Sequence, residues 1–232
     1  MEDREGRDAQ REGWDKAWEG LIGRGAGAPG PGQDDWLEAY SSRLEAAKGG
    51  LVLDLGCGLG NDTDWLLERG HRVVACDYSR PALEAVARRH PGLETRCLDL
   101  RDELPFGDAS ASIAIADLSL HYFFLEETRR IVAGISRVLV PQGLLLCRVN
   151  STKDVNHGAG RGLELEPGFF FHEGCYKRFF SRAGLEAVFS KDWIEIAGSE
   201  KSIHRFGQEK WLWEVALEKP GPSSVCKARN MG

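Results

Sequence analysis

Between residues 51 and 150, short β-branched apolar runs alternate with stretches whose apolar positions recur every three or four residues. The runs predict strands over Leu51–Leu55, Arg72–Asp77, Leu93–Asp99, Ser112–Asp117 and Leu144–Asn150. The stretches between them predict helices over Thr63–Arg69, Arg80–Arg89 and Leu125–Leu139, with Gly70 and Gly143 as terminators. Strand and helix in alternation give an α/β chain whose parallel sheet is covered on both faces. Ligands of such sheets bind beyond the carboxyl ends of the strands.

The flanks break this rhythm. The arm 1–48 carries an aromatic helical patch, "WDKAWEGLI", then the Gly/Pro segment "GRGAGAPGPG", then a helix expected over Trp36–Ala47. Trp14 and Trp18, four residues apart, form one stripe, which either docks on the body or closes over it as a lid hinged at the Gly/Pro segment. Residues 150–168, "NSTKDVNHGAGRGLELEPG", are too long and glycine-rich for a routine connector and read as a functional loop. A helix is expected over Tyr176–Phe189, then an antiparallel hairpin from Trp193–Ile203 and Lys210–Leu217, then a disordered tail at 220–232. The main domain is thus expected over 49–219.

Composition narrows the field. A chain of 232 residues is long enough for one large α/β domain. Its 30 basic residues are scattered and outnumbered by 36 acidic ones, which argues against a nucleic-acid or anionic-membrane partner. No apolar stretch approaches the roughly 20 residues that span a bilayer, and the charged N-terminus lacks the apolar core of a signal peptide, so a cytoplasmic location is expected. The six cysteines show no zinc spacing and read as reduced thiols, with Cys76, Cys97 and Cys147 assigned to the core and no metal site expected. Monomer and homodimer both remain open.

The chemistry concentrates at "LVLDLGCGLGND", residues 51–62. Gly56, Gly58 and Gly60 follow a buried strand and precede a helix, where a backbone without Cβ lets a ligand approach closely. The spacing G-x-G-x-G is not that of a dinucleotide turn. Asp54, Asp62 and Asp64 around the same helix start would repel a pyrophosphate and tolerate a cationic centre. Asp77, at the next strand end, is placed to accept from both hydroxyls of a ribose, while Asp99 and Asp117 close the third and fourth strands. A nucleoside with a cationic, phosphate-free tail suits this edge.

These residues, above all "LDLGCGLG", resemble the class I S-adenosylmethionine-dependent methyltransferases over about 49–219. The resemblance implies a Rossmann-like, doubly wound sheet of seven strands in the order 3-2-1-4-5-7-6, strand 7 antiparallel, with S-adenosylmethionine as cofactor. Carried over, Asp54, Gly56, Gly58 and Gly60 line its methionine and ribose portion, Asp77 holds the ribose hydroxyls and Tyr78 flanks the adenine. Asp99 accepts from the adenine amino group beside Leu100, and Asp117 marks the edge between cofactor and acceptor. Trp36, about one helix ahead of the first strand, is a further candidate neighbour of the cofactor. Ala111 and Ser112 stand where Phe-Asp is usual, and "PQG" where Pro-Gly-Gly is commoner. A narrower likeness, to small-molecule members of the tellurite-resistance and thiopurine type, rests on "GWDKAWEG", "ERGHRVVACDYS" and "YKRFF".

Methyl transfer from a sulfonium asks mainly for alignment and exclusion of water. A base matters for an amine or hydroxyl acceptor, and His121, four residues past Asp117, is the candidate, set against a histidine that packs or caps. Tyr122, Asn150, Lys153, His157 and Tyr176 are the candidate acceptor residues, pointing as a group to a small polar or anionic molecule. A protein or RNA acceptor, and a non-catalytic regulator that binds the cofactor, are the alternatives.

Overall fold

The computed structural model describes residues 4–25, 35–189, 193–205 and 207–221. Most of the expected Gly/Pro segment, most of the expected tail and Cys226 lie outside them. The chain divides into two compact units, Met1–Asp102 and Glu103–Gly232.

In the first unit, helix α1 (Arg4–Gly23) is much longer than its aromatic patch. The helix expected over Trp36–Ala47 is a 3-10 turn, Trp36–Tyr40, followed by α2 (Ser41–Ala46). Strands β1 (Leu51–Leu55), β2 (Arg72–Asp77) and β3 (Glu94–Cys97) pair in parallel, with Leu51 opposite Arg72 and Val74 opposite Glu94. Helix α3 (Asn61–Glu68) leaves the glycine turn, and Asp62 and Asp64 in its first turn complement the helix dipole. Helix α4 (Arg80–Arg89) starts at Ser79, whose side chain accepts from Ala82 N at 3.4 Å. The central strand β1 has Val52, Leu53 and Leu55 at zero exposure.

The second unit opens with β4 (Ala111–Asp117), α5 (Leu125–Val138) and β5 (Leu139–Asn150). Strand β5 begins five residues before the expected Leu144, so Gly143 lies inside a strand and does not end α5. A Cβ there would meet Val140 O at 2.8 Å and Ser112 O at 3.1 Å, which is why the position is glycine. The expected hairpin is present as β9 (Ile194–Arg205) and β10 (Gln208–Glu218). The complete sheet runs β3-β2-β1-β4-β5-β10-β9, with β10 antiparallel to both neighbours. This is the expected seven-stranded order.

Two expectations are corrected. The long segment 150–168 is not only loop: it holds a 3-10 turn at Val155–His157 and strand β6 (Leu163–Glu166). Residues 176–181 are not helical, because Cys175–Arg178 is strand β8 and only Arg182–Phe189 forms the helix, α6. With β7 (Phe169–His172), these strands make a separate three-stranded sheet, β6-β7-β8. Tight turns dictate it: Glu173 and Gly174 both have positive φ, 49° and 78°, and join β7 to β8 in two residues. Cys76 and Cys147 are buried, but Cys97 is exposed, since β3 is an edge strand.

Candidate functional site

The glycine turn is built from backbone geometry. Gly56, Gly58 and Gly60 have φ of 84°, 52° and 82°, the left-handed region that side chains with a Cβ disfavour. Gly56 N and Cys57 N both donate to Cys76 O, at 2.8 and 2.9 Å, which hangs the turn on the end of β2. Asp77 completes the attachment. Its Oδ2 accepts from Gly58 N at 2.7 Å and its Oδ1 from Ser79 N at 2.8 Å. Each oxygen retains a further lone pair for a hydroxyl. Burial raises the carboxyl from its ordinary value, and those N–H bonds oppose the rise without cancelling it.

The other three acids of the turn are engaged inside the protein. Asp54 accepts from Thr63 Oγ1 at 2.5 Å, Asp62 from Trp36 Nε1 at 2.9 Å, and Asp64 pairs with Arg89 at 3.0 Å and His90 at 2.5 Å. Their negative charge is therefore met by Thr63, Trp36, Arg89 and His90 and is not left facing a ligand as a cluster. Trp36, 3% exposed, packs edge-on to Tyr40 and ties its 3-10 turn to the start of α3.

Helix α1 lies over this turn. A Cβ on Gly58 would meet the Trp18 ring at 2.8 Å, and Tyr78 Oη donates to Arg7 O at 2.8 Å. Arg7 Nη1 lies 2.9 Å from Asp102 and 3.7 Å from Asp99, while Arg11 and Arg101 stand 5.9 and 5.8 Å over the Tyr78 ring. Asp99 is gripped by Arg101, and Leu100 beside it is buried. The stripe Trp14–Trp18, stacked at 6.3 Å, is thus brought to the glycine turn.

In the second unit, Asp117 ends β4 in a two-point pair with Arg148, Nε to Oδ1 and Nη2 to Oδ2 both at 2.7 Å. Burial pushes this carboxyl up, but Arg148, then Arg205 and Lys210, more than reverse it and leave it below its ordinary value. Leu118 follows in a left-handed conformation, φ 54°, with its N–H on Arg148 O at 2.9 Å. His121 is 2% exposed, its Nδ1 is buried with no hydrogen-bond partner among the described residues, and its ring is 4.3 Å from that of Tyr122. Burial, then Lys210, Lys177 and Arg205, holds it well below its ordinary 6.5.

The candidate acceptor residues separate into three groups. Asn150 Oδ1 accepts from the buried Lys210 Nζ at 2.7 Å, and Lys210 also bonds Asp154 at 2.8 Å. His157 Nδ1 joins the same Asp154 at 2.8 Å. Lys153 instead pairs with Glu200 and lies 5.1 Å over Trp211. Tyr176 belongs to an aromatic face with Phe169 and Phe171.

Sequence reasoning passed over Arg148 and Lys210, and Arg178, open between a pocket wall and a wet helix face, is instead a buried strand residue bonded to Phe123 O and Pro167 O. The signal for Arg148 and Lys210 was a charged residue inside an apolar strand run, "LLLCRVN" and "KWLWEVAL", which cannot be buried without a partner. Among the described residues, no group of three or more His, Cys, Asp or Glu side chains is placed to hold a metal ion. Nor does any described helix have the length and apolarity to cross a membrane.

Known proteins resemble this chain in sequence and in fold. Residues 53–147 match the family model described as a methyltransferase domain. A cypemycin N-terminal methyltransferase from a Streptomyces species is 34% identical over 122 residues, 50% of this chain and 46% of that one. This chain therefore spans about half the length of that relative. A demethylmenaquinone methyltransferase of Thermobifida fusca is 30% identical over 188 residues, 77% of both chains. In fold, a 1,6-didemethyltoxoflavin-N1-methyltransferase of Burkholderia thailandensis, solved with bound 1,6-didemethyltoxoflavin and S-adenosylhomocysteine, superposes with a TM-score of 0.67. The match covers 92% of this chain and 88% of that one at 19% identity.

Proposed function

Since the chain belongs to the S-adenosylmethionine-dependent methyltransferases, as its match over 77% of a relative shows, we propose that it methylates a small polar or soft-nucleophile acceptor. The observation that carries this reading is the fixing of Asp77 by Gly58 N and Ser79 N. It presents a carboxylate with spare lone pairs beside a left-handed glycine backbone, the pairing that a ribose next to a close-lying ligand chain requires.

On this reading Asp54, Gly56, Gly58 and Gly60 border the methionine and ribose portion, Asp77 accepts from the ribose hydroxyls, Tyr78 flanks the adenine, and Asp99 with Leu100 meets its edge. Trp36 backs this site through Asp62. Asp117 marks the acceptor side. Helix α1 serves as the lid, because Trp18 and Arg7 already lie on Gly58, Tyr78 and Asp99. The bound cofactor supplies a methyl group already activated on a sulfonium. The protein's residues then align the acceptor and keep water away.

The narrower likeness to tellurite-resistance and thiopurine members bears on the aromatic arm and names no acceptor. A cytoplasmic enzyme acting on a small molecule remains the reading, with His121 and Tyr122 closest to the acceptor and Asn150, Lys153, His157 and Tyr176 around them. The test combines calorimetry with S-adenosylhomocysteine and turnover of labelled S-adenosylmethionine against thiols, phenols, amines and metalloid oxyanions. Binding together with transfer to one class is expected. A folded protein that does not bind S-adenosylhomocysteine refutes the site, and binding without transfer to any class refutes the activity.

A further inference from the structure

The glycine turn hangs on the carboxyl end of β2, and a cleft of about 620 Å³ opens at the amino ends of β2 and β3. It lies wholly in the first unit. Leu67 of α3, His71 just ahead of β2, Arg72 as its first residue, and the segment 89–94 that joins α4 to β3 all line it. The volume is that of a small-molecule site, and so is the lining, apolar with a few polar groups. Leu67 and Leu93 are half-buried and Pro91 is exposed, which leaves apolar surface for a ligand to cover.

Three nitrogens of the lining residues lack what a protein interior ordinarily provides. His71 is 5% exposed, and its Nδ1 is buried with no hydrogen-bond partner among the described residues. Arg89 Nε and Nη1 are buried in the same condition. Buried polar nitrogens as a rule have partners, and leaving one unmet is destabilising. Arg89 commits its remaining nitrogen, Nη2, to Leu59 O and to Asp64 Oδ2, the latter at 3.0 Å. The guanidinium is thus anchored while two of its nitrogens stay unmet.

The charges point the same way. Glu94, the acid among the lining residues, is taken by Arg96 at 2.6 Å, and Asp64 is met by Arg89 and His90. Arg72 is exposed and pairs with no carboxylate among the described residues. Burial, then Lys48, holds the His71 ring below its ordinary 6.5, so at neutral pH it brings an N–H and no charge.

We infer that this cleft binds a small organic acid, whose carboxylate or phosphate head takes N–H donors from Arg89 and His71 beside Arg72 and whose apolar body lies on Leu67, Pro91 and Leu93. Arginine nitrogens only donate, so the ligand must present acceptor oxygens, and an anionic head gives the stronger bonds. Nε and Nη1 lie on different edges of the planar guanidinium, so the head takes one of them and His71 supplies the second donor. The nitrogens are covered, and seating the head turns these side chains, a rotamer change of the kind binding commonly brings. Ligands of such sheets ordinarily sit beyond the carboxyl ends of the strands. This is therefore a second site, and it does not rest on the methyltransferase reading.

The test titrates the full chain, its histidine rings labelled with nitrogen-15, with benzoate, phenyl phosphate, benzamide and inorganic phosphate at millimolar concentration. Benzoate or phenyl phosphate, or both, should bind and shift the His71 ring signals, which are identified by their loss in His71→Phe. The tighter of the two tells a carboxylate head from a phosphate. Benzamide, the same body without the charge, should bind roughly tenfold more weakly than the bound anion, and inorganic phosphate, a head without a body, more weakly than phenyl phosphate. Arg72→Gln, at an exposed position, should weaken the anion roughly two- to fivefold, the range of an exposed ion pair. His71→Phe, which keeps a ring and removes the donor, should weaken it roughly tenfold. Binding of neither anion, benzamide binding as tightly as the anions, anion binding that leaves the His71 signals unmoved, or an affinity unchanged in both variants would overturn the inference.

Discussion

Mild acid should weaken the fold through His121, and by an amount that can be worked out. Burial, then Lys210, Lys177 and Arg205, keeps the native ring from protonating until well below its ordinary 6.5. In the unfolded chain the ring titrates near 6.5, so below that value the unfolded state binds a proton that the native state refuses. Unfolding then takes up a proton, and its free energy falls as the pH falls. The loss begins near 6.5 and stops growing only at the native ring's lower value. One pH unit below the unfolded value it amounts to about 1.4 kcal/mol. His71, also lowered by burial, acts with the same sign and adds to the loss. Urea unfolding at about pH 7.5 and about pH 5.5 measures the difference, with an unchanged m-value as the check on two-state behaviour. His121→Asn should remove its own share, about 1.4 kcal/mol, of the pH dependence. Asp117, held low by Arg148, loses its contribution only below its ordinary 3.8, whereas Asp77, raised by burial, acts with the opposite sign. A variant that keeps the whole dependence would show that the native ring is free to protonate, and the reasoning about its surroundings would fail.

Three further outcomes follow from the described contacts. Asp77→Asn places an amide donor against Gly58 N or Ser79 N, so calorimetry with S-adenosylhomocysteine should show binding weaker by about 1.5–3 kcal/mol, the range for hydrogen bonds to a charged group; equal affinity in a folded variant would remove Asp77 from the site. Gly58→Ala pushes a Cβ to 2.8 Å from Trp18 at a φ of 52°, and should lower thermal stability by at least about 1 kcal/mol. Pairing it with Trp18→Ala should recover the steric part and leave the backbone cost. Asp154→Ala strands the buried Lys210 ammonium and should cost about 3–5 kcal/mol in urea unfolding, whereas Lys210→Met together with Asp154→Ala should cost distinctly less.

The centre of the sheet was legible because β1, β2, β4 and β5 are apolar runs ended by an acid or a turn, and parallel pairing of buried strands needs little else. Asp77 and Asp117 end their strands as expected, Asp54 lies one residue inside the end of β1, and Asp99 lies two residues beyond β3. The small sheet was missed because Tyr176–Phe180 has the composition of an amphipathic helix, while the turn at Glu173–Gly174 decides for strands. Pro167-Gly168 and Glu173-Gly174, two-residue turns between three short runs, were the available signal. The partners were harder. Nothing in the spacing of Asp117 and Arg148 says that β4 and β5 would set them opposite each other; only the parallel register does. Likewise, the acids on either side of the glycine turn look like a negative patch until Thr63, Trp36, Arg89 and His90 are seen to consume them.

The stitch made by Arg178 divides two tasks between adjacent residues. Its backbone and guanidinium hold the His121 loop in shape, through Phe123 O, Pro167 O and Glu166, while the alternation of the strand turns Lys177 the other way. Position 177 can therefore change its charge or size without loosening the scaffold. A library confined to that one position should leave the fold's melting temperature nearly constant, whereas substitutions at Arg178 should lower it.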